Sequence, residues 1–304
     1  MNDRIPIVLK ADGDCAYAEA LAAHLKTALL HTTPDAPVWL SVNAAGLSLT
    51  DGDQAMRGDF TKLQKRLQYH NLTHELLVKA TKVKGRENLR VIDATAGMGE
   101  DSLLLAAAGC EVTLYEQDPV IAALLQDTMR RALEEATLHE IVMRMQLVEG
   151  DSIDHLRRLG EAGTGSDAPE DDAGHACPAL TASAATGNGA DASTSGAEVT
   201  TNDAAATTNS ADEALKRPDV IYLDPMFPER QKSGLVKKKF QLIHYLEAPA
   251  ENEEALMQAA IAAHPFKIVV KRPAKGPYLA GLKPSYSLDG KAIRYDCYVF
   301  PENV

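Results

Sequence analysis

The sequence predicts an α/β fold of the Rossmann-like, doubly wound kind, preceded by a small N-terminal α/β subdomain. Three observations carry this expectation. The β-branched pair Val91-Ile92 runs into a glycine turn, Asp93-Ala94-Thr95-Ala96-Gly97-Met98-Gly99, and then into a helical stretch from Leu103 to Ala108. Short apolar strands and amphipathic helices alternate from there onward. The chain then closes on an antiparallel pair around Asp289-Gly290, a strong hairpin signal.

Taken in order, residues 1–60 read as the subdomain: a strand over Ile5–Leu9, an amphipathic helix over Tyr17–Leu30, and a hairpin over Val38–Thr50 turning at Asn43-Ala44-Ala45-Gly46. Residues 61–84 form a connecting segment, part of a basic amphipathic helical stretch over 60–84. Residues 85–304 form the main domain. Its second strand is Glu111–Glu116. Asp118 then caps a helix with Pro119 at its first position, where the missing N–H costs nothing, and that helix runs to about Ala136. Met145–Val148 is the third strand, with Gly150-Asp151-Ser152 at its carboxyl end; Asp219–Leu223 is the fourth and Lys267–Val270 the fifth. Residues 161–216 are mostly Ala, Thr, Ser, Gly and Asp, with no Phe, Trp or Tyr and almost no branched aliphatics, so they cannot bury enough apolar surface to offset their ordering entropy. They are expected to be a disordered insertion, since the α/β pattern resumes on both sides.

The formal charge of −12 is unevenly spread. Residues 161–216 hold ten acidic residues and one lysine, whereas residues 217–304 hold 13 basic and 10 acidic ones, so the C-terminal part is mildly basic. The four cysteines are scattered without a CxxC pair, and the nine histidines lack metal-ligand spacing, so neither a disulfide framework nor a metal site is expected. A reducing cytoplasm fits. The N-terminus lacks a basic-then-apolar signal pattern, and no apolar run approaches the roughly 18 residues of a membrane span.

The glycine turn bears the chemistry. Gly97 and Gly99 let the backbone bend and approach a ligand. A dinucleotide fingerprint wants a third glycine where Ser102 stands, and Glu100 and Asp101 at the helix start would repel a pyrophosphate. A ligand with an amino group and a sulfonium cation suits the turn better, and Glu116 at the end of the second strand is placed to receive ribose hydroxyls. These features favour S-adenosylmethionine over NAD.

The fourth strand ends in Asp224-Pro225-Met226-Phe227-Pro228, which faces the same crevice because ligands of open α/β sheets lie beyond the carboxyl ends of the strands. The block resembles the (Asp/Asn)-Pro-Pro-(Tyr/Phe) motif of enzymes that methylate exocyclic amines. Asp224 and the Pro225 carbonyl can accept the amine's N–H bonds while Phe227 stacks on the base. Two basic runs flank it. One holds Arg230, Lys232, Lys237, Lys238 and Lys239; the other is Lys271-Arg272-Pro273-Ala274-Lys275. Convergence on one crevice makes Arg230, Lys232, Lys237, Lys238, Lys239, Lys271 and Arg272 candidate phosphate contacts.

Asp93–Asp101, Asp224–Pro228 with Gln231-Lys232-Ser233, and Val270-Lys271-Arg272-Pro273 together resemble the ribosomal RNA small subunit methyltransferase J family. The resemblance implies S-adenosylmethionine-dependent methylation of the N2 amine of guanine 1516 in 16S rRNA by a bacterial cytoplasmic enzyme acting on that RNA or on the small ribosomal subunit. Carried over by motif, the cofactor contacts implied are Glu100 and Asp101, Glu116 and Gln117, Asp151 and Ser152, and Asp224. Methylation of another nucleic-acid exocyclic amine, an NAD-dependent enzyme on the same fold, and a noncatalytic RNA-binding assembly factor stand as the alternatives.

Overall fold

Near-continuous apolar runs in the strands after residue 88 produce a sheet with two buried faces. The computed structural model describes residues 5–162, 217–225, 242 and 252–300. The predicted insertion lies outside the described residues from residue 163 on, as do Phe227, Arg230, Lys232, Lys237, Lys238 and Lys239.

Two sheets are present among the described residues. The first contains β1 (Ile7–Leu9), β2 (Leu29–Leu30), β3 (Trp39–Asn43), β4 (Gly46–Thr50) and β5 (Ala55–Met56), in spatial order β2-β1-β3-β4-β5. Helix α1 (Cys15–Leu25) opens at Asp14, whose carboxylate accepts the Tyr17 N–H, and ends where Lys26 turns left-handed. It is therefore shorter than the sequence suggests: Leu29 and Leu30, expected at the helix end, instead pair in parallel with Ile7 and Val8. The expected hairpin turns at Asn43 and Gly46.

Residues 60–84 depart further from expectation. A 3-10 turn at Phe60–Leu63 is followed by three short helices, α2 (Gln64–Leu67), α3 (Tyr69–Leu72) and α4 (Leu76–Thr81), in place of one helical stretch. Gln68 and Glu75 adopt extended backbone angles that break it. The breaks let Leu63, Leu72, Leu77 and Val78 reach buried positions on separate surfaces.

The main sheet has the order β11-β12-β10-β9-β6-β7-β8. Its strands are β6 (Arg90–Asp93), β7 (Glu111–Glu116), β8 (Met145–Glu149), β9 (Val220–Leu223), β10 (Lys267–Pro273), β11 (Tyr286–Asp289) and β12 (Ile293–Val299). Strands β8, β7, β6, β9 and β10 are mutually parallel, and β12 runs antiparallel to both β10 and β11. The helices are α5 (Glu100–Ala107), α6 (Pro119–Leu133), α7 (His139–Val142), α8 (Ser152–Ala162) and α9 (Glu253–Ala262).

Because consecutive strand residues point to opposite faces, each strand divides its side chains between two cores. Val91, Val220, Tyr222 and Val269 pack on the face that carries α4 and α5, with Leu77, Leu103 and Leu105. Ile92, Ile221, Leu223, Ile268 and Val270 pack on the other face, with Leu156 of α8 and Met257 and Ala260 of α9. The chain winds outward from β6 through β7 to β8, then resumes on the other side of β6 with β9 and β10. The reversal opens the sheet's ligand crevice at the carboxyl ends of β6 and β9.

Helix α6 joins the two halves. Its Ile121, Ala123 and Leu124 pack with Leu40, Leu47 and Leu49 of the first sheet. Asp127, fully buried, accepts the Leu47 N–H at 3.0 Å and the guanidinium groups of Arg130 and Arg131 at 2.9 and 2.8 Å; Arg131 also donates to the Gly58 carbonyl.

Candidate active site

The carboxyl ends of β6, β7, β8, β9 and β10 place Gly97, Glu116, Asp151, Asp224 and Lys271 along one edge. Gly97 has φ +53° and Gly99 φ +73°, so the turn after β6 depends on the two glycines. A Cβ on Gly99 would lie 2.6 Å from Leu125 of α6, which packs the turn from below, whereas a Cβ on Gly97 would meet nothing within 4 Å. The open side of the turn is thus the side on which a ligand can approach backbone.

Glu116 ends β7. Its two carboxylate oxygens accept the N–H groups of Gly97 at 2.9 Å and Asp118 at 2.8 Å, so the residue ties β7 to the turn after β6. Burial raises its pKa to about 7, against the opposing pull of those N–H donors. Asp93 behaves alike: burial raises it to about 7 although the Ser102 hydroxyl, at 2.5 Å, and the Thr95 N–H, at 3.1 Å, donate to it. Gln117 and Asp151 are exposed, Ser152 is buried at the start of α8, and Asp151 accepts the Ile153 N–H at 2.8 Å.

The fourth strand brings Asp224 to the same edge. Its backbone N–H donates to the Thr95 hydroxyl at 2.7 Å, joining the end of β9 directly to the turn after β6. Lys271 lies between two carboxylates, its ammonium 2.9 Å from Asp224 and 2.6 Å from Asp101. The Tyr222 hydroxyl donates to the same Asp101 oxygen at 2.7 Å. Burial alone would weaken the charge on Lys271, but Asp224 and Asp101 outweigh it and hold the lysine above its ordinary pKa. Strand periodicity explains the meeting: Asp224, just past the end of β9, is two beyond Tyr222, and Lys271 lies two beyond Val269 on β10, so they meet on the side of α5, whose first turn carries Asp101.

The same periodicity corrects the expected basic cluster. Arg272 points to the opposite face, is 1% exposed, and binds Glu253 of α9 at 3.1 Å and the Pro277 carbonyl at 3.0 Å. Adjacent strand positions cannot share a rim, so Lys271 and Arg272 do not form one phosphate-binding patch. Lys271 belongs to the crevice and Arg272 to the packing beneath it. Sequence reasoning also passed over Thr95 and Tyr222; the signal available was their spacing, two residues from Asp93 and Asp224 respectively.

Comparison with known proteins bears on the family and the fold. A family model described as "Putative SAM-dependent methyltransferase" matches residues 23–165 and 190–300. A solved SAM-dependent methyltransferase from Neisseria gonorrhoeae is 25% identical, covers 98% of this chain and 97% of its own, and superposes with a TM-score of 0.65. A curated ribosomal RNA small subunit methyltransferase J from Thioalkalivibrio sulfidiphilus is 36% identical over 98% of this chain and 99% of its own length; one from Pseudomonas aeruginosa is 34% identical over 94% and 91%.

The chain belongs to the ribosomal RNA small subunit methyltransferase J family.

As a methyltransferase J family member it is an S-adenosylmethionine-dependent enzyme on a Rossmann-like fold. The residues present fit that cofactor. The accessible turn at Gly97 leaves room for backbone approach, and among the described residues Asp101 and Asp224 set two carboxylates against the ammonium of Lys271, with Glu116 at the end of β7. Such a donor set complements a ligand that carries sulfonium and ammonium charge together. Among the described residues, no helix is long and apolar enough to cross a membrane.

Proposed function

We propose that this protein methylates the N2 amine of guanine 1516 in 16S rRNA, as naked RNA or within the small ribosomal subunit, in the cytoplasm. The observation that carries the reading is the junction of Asp224 with the turn after β6 through Thr95, which supports pairing an amine-orienting carboxylate with a cofactor cradle. The rRNA substrate in the names of the relatives supports it.

When bound, S-adenosylmethionine supplies an electrophilic methyl group on a sulfonium centre. Gly97, Gly99, Glu100, Asp101, Glu116, Gln117, Asp151, Ser152 and Asp224 are the residues we assign to holding it, with Glu116 at the ribose. Asp224 and the Pro225 carbonyl accept the N–H bonds of the guanine amine, returning to the nitrogen the electron density that the ring withdraws. Phe227 stacks on the base, and Arg230, Lys232, Lys237, Lys238 and Lys239 meet phosphates; these six lie outside the described residues. A stacked, paired guanine hides its amine, so the base must be exposed or flipped for Asp224 to reach it.

The test is methyl incorporation from isotopically labelled cofactor into small-subunit particles and naked 16S rRNA that lack the modification, followed by mass mapping. The expected product is a single N2-methylguanine. Label at another base, or in neither substrate, would overturn the assignment.

A pH dependence follows from Glu116. Its raised pKa means that the ligand-free protein holds a proton there below about pH 7. The associated stability is present below the ordinary carboxylate range and is lost as pH rises through about 7. Ribose binding to the ionised carboxylate must expel that proton, so S-adenosylhomocysteine affinity should fall between pH 8 and pH 6, by at most about tenfold per unit below 7. Calorimetry in two buffers of different ionisation enthalpy reads the proton release directly. A flat profile, or one that Glu116→Gln reproduces, would remove Glu116 from the ribose site.

A further inference from the structure

We propose that Lys271 is the binding group for the α-carboxylate of the methyl donor, a role distinct from the phosphate contact expected of it. The inference rests on the reading that Glu116 receives the ribose.

The order of the strands gives the direction. Glu116 ends β7, the glycine turn follows β6, Asp224 follows β9, and Lys271 extends from β10. From β7 to β9 is two strand spacings, roughly 10 Å. A ligand whose ribose sits at Glu116 and whose chain crosses the glycine turn therefore delivers its amino-acid end to the Asp224–Lys271 pair.

The charges at that end match the amino-acid group. Asp101 and Asp224 give two carboxylates and Lys271 one ammonium. An amino-acid tail brings one ammonium and one carboxylate, so the aspartates can take the former and Lys271 the latter. Lys271 is suited to exchange partners because its side chain is 20% exposed and ends a flexible stem. Among the described residues, two other basic groups are engaged elsewhere: Arg66 is held by two bonds to Glu75, at 2.8 and 3.0 Å, and Arg272 faces α9. The Tyr222 hydroxyl also donates to the Asp101 oxygen that Lys271 binds, so Asp101 keeps a partner when Lys271 turns to the ligand.

The test is calorimetric binding of three ligands to wild type, Lys271→Met and Lys271→Arg: S-adenosylhomocysteine, its decarboxylated amine counterpart, and methylthioadenosine, which lacks the amino-acid tail. Lys271→Met should weaken S-adenosylhomocysteine by about tenfold or more while leaving methylthioadenosine unchanged and the decarboxylated ligand unchanged or tighter. Lys271→Arg, which keeps the charge, should recover a large part of the loss. Equal weakening of all three ligands would assign Lys271 a purely structural role and overturn the proposal, as would an unchanged affinity for S-adenosylhomocysteine. Glu116→Gln is the separate control: if it binds methylthioadenosine as wild type does, the ribose reading fails, while the Lys271 comparison between tailed and tailless ligands is still read on its own.

Discussion

Asp224→Ala is expected to lower methyl transfer by about a thousandfold or more, the scale lost when a preorganised hydrogen-bonding group is removed from a reacting centre. S-adenosylhomocysteine binding should weaken far less, by no more than about tenfold, because one ion pair among several contacts is lost. The structural reason is that Asp224 is held at both ends: its N–H by Thr95 and its carboxylate by Lys271. Alanine keeps the first hold and leaves Lys271 paired with Asp101 alone. Asp224→Asn retains an acceptor oxygen without the charge, so its rate should fall between the two. Single-turnover methylation with binding measured in parallel separates the two effects, and a wild-type rate in the alanine variant would take Asp224 out of the chemistry.

The second large effect is on stability. Asp127→Ala should destabilise the protein by about 3 kcal/mol, because a fully buried carboxylate is removed from two guanidinium groups and a backbone N–H. Arg130 and Arg131 are partly exposed and recover some hydration, which keeps the loss at the lower end of the range for buried pairs. Asp127→Asn, which preserves shape and one acceptor, should lose less. Urea unfolding reads both. A change within about 0.5 kcal/mol for the alanine variant would mean that the joint is held by aliphatic packing alone.

Much of this was legible in the sequence where the determinant is local. Gly97 and Gly99 mark the turn because their backbone angles are positive, and the Asp118-Pro119 start of α6 follows from capping chemistry. The central strands β6, β9 and β10 stood out because both faces are buried and their apolar runs are nearly continuous. What escaped depends on partners distant in the chain. Leu29 and Leu30 fit a helix equally well by pattern; only pairing with Ile7 and Val8 makes them a strand. The segment over residues 60–84 has helical periodicity, yet burial of Leu72 and Leu77 on different surfaces divides it. At the site, Asp224 was readable from its Asp-Pro block, whereas the two basic residues of Val270-Lys271-Arg272-Pro273 looked equivalent. Only strand alternation, with Asp101 waiting on one face and Glu253 on the other, tells them apart.

Helix α6 has one further consequence. Its Leu125 supports Gly99 of the cofactor turn, while its neighbours Ile121, Ala123 and Leu124 are roofed by the first sheet. A fragment beginning at residue 85 would strip that roof and leave a greasy flank open to water, directly behind the cradle. The first sheet thus braces α6 behind the cofactor turn, and a fragment trimmed to residues 85–304 is expected to lose stability and aggregate.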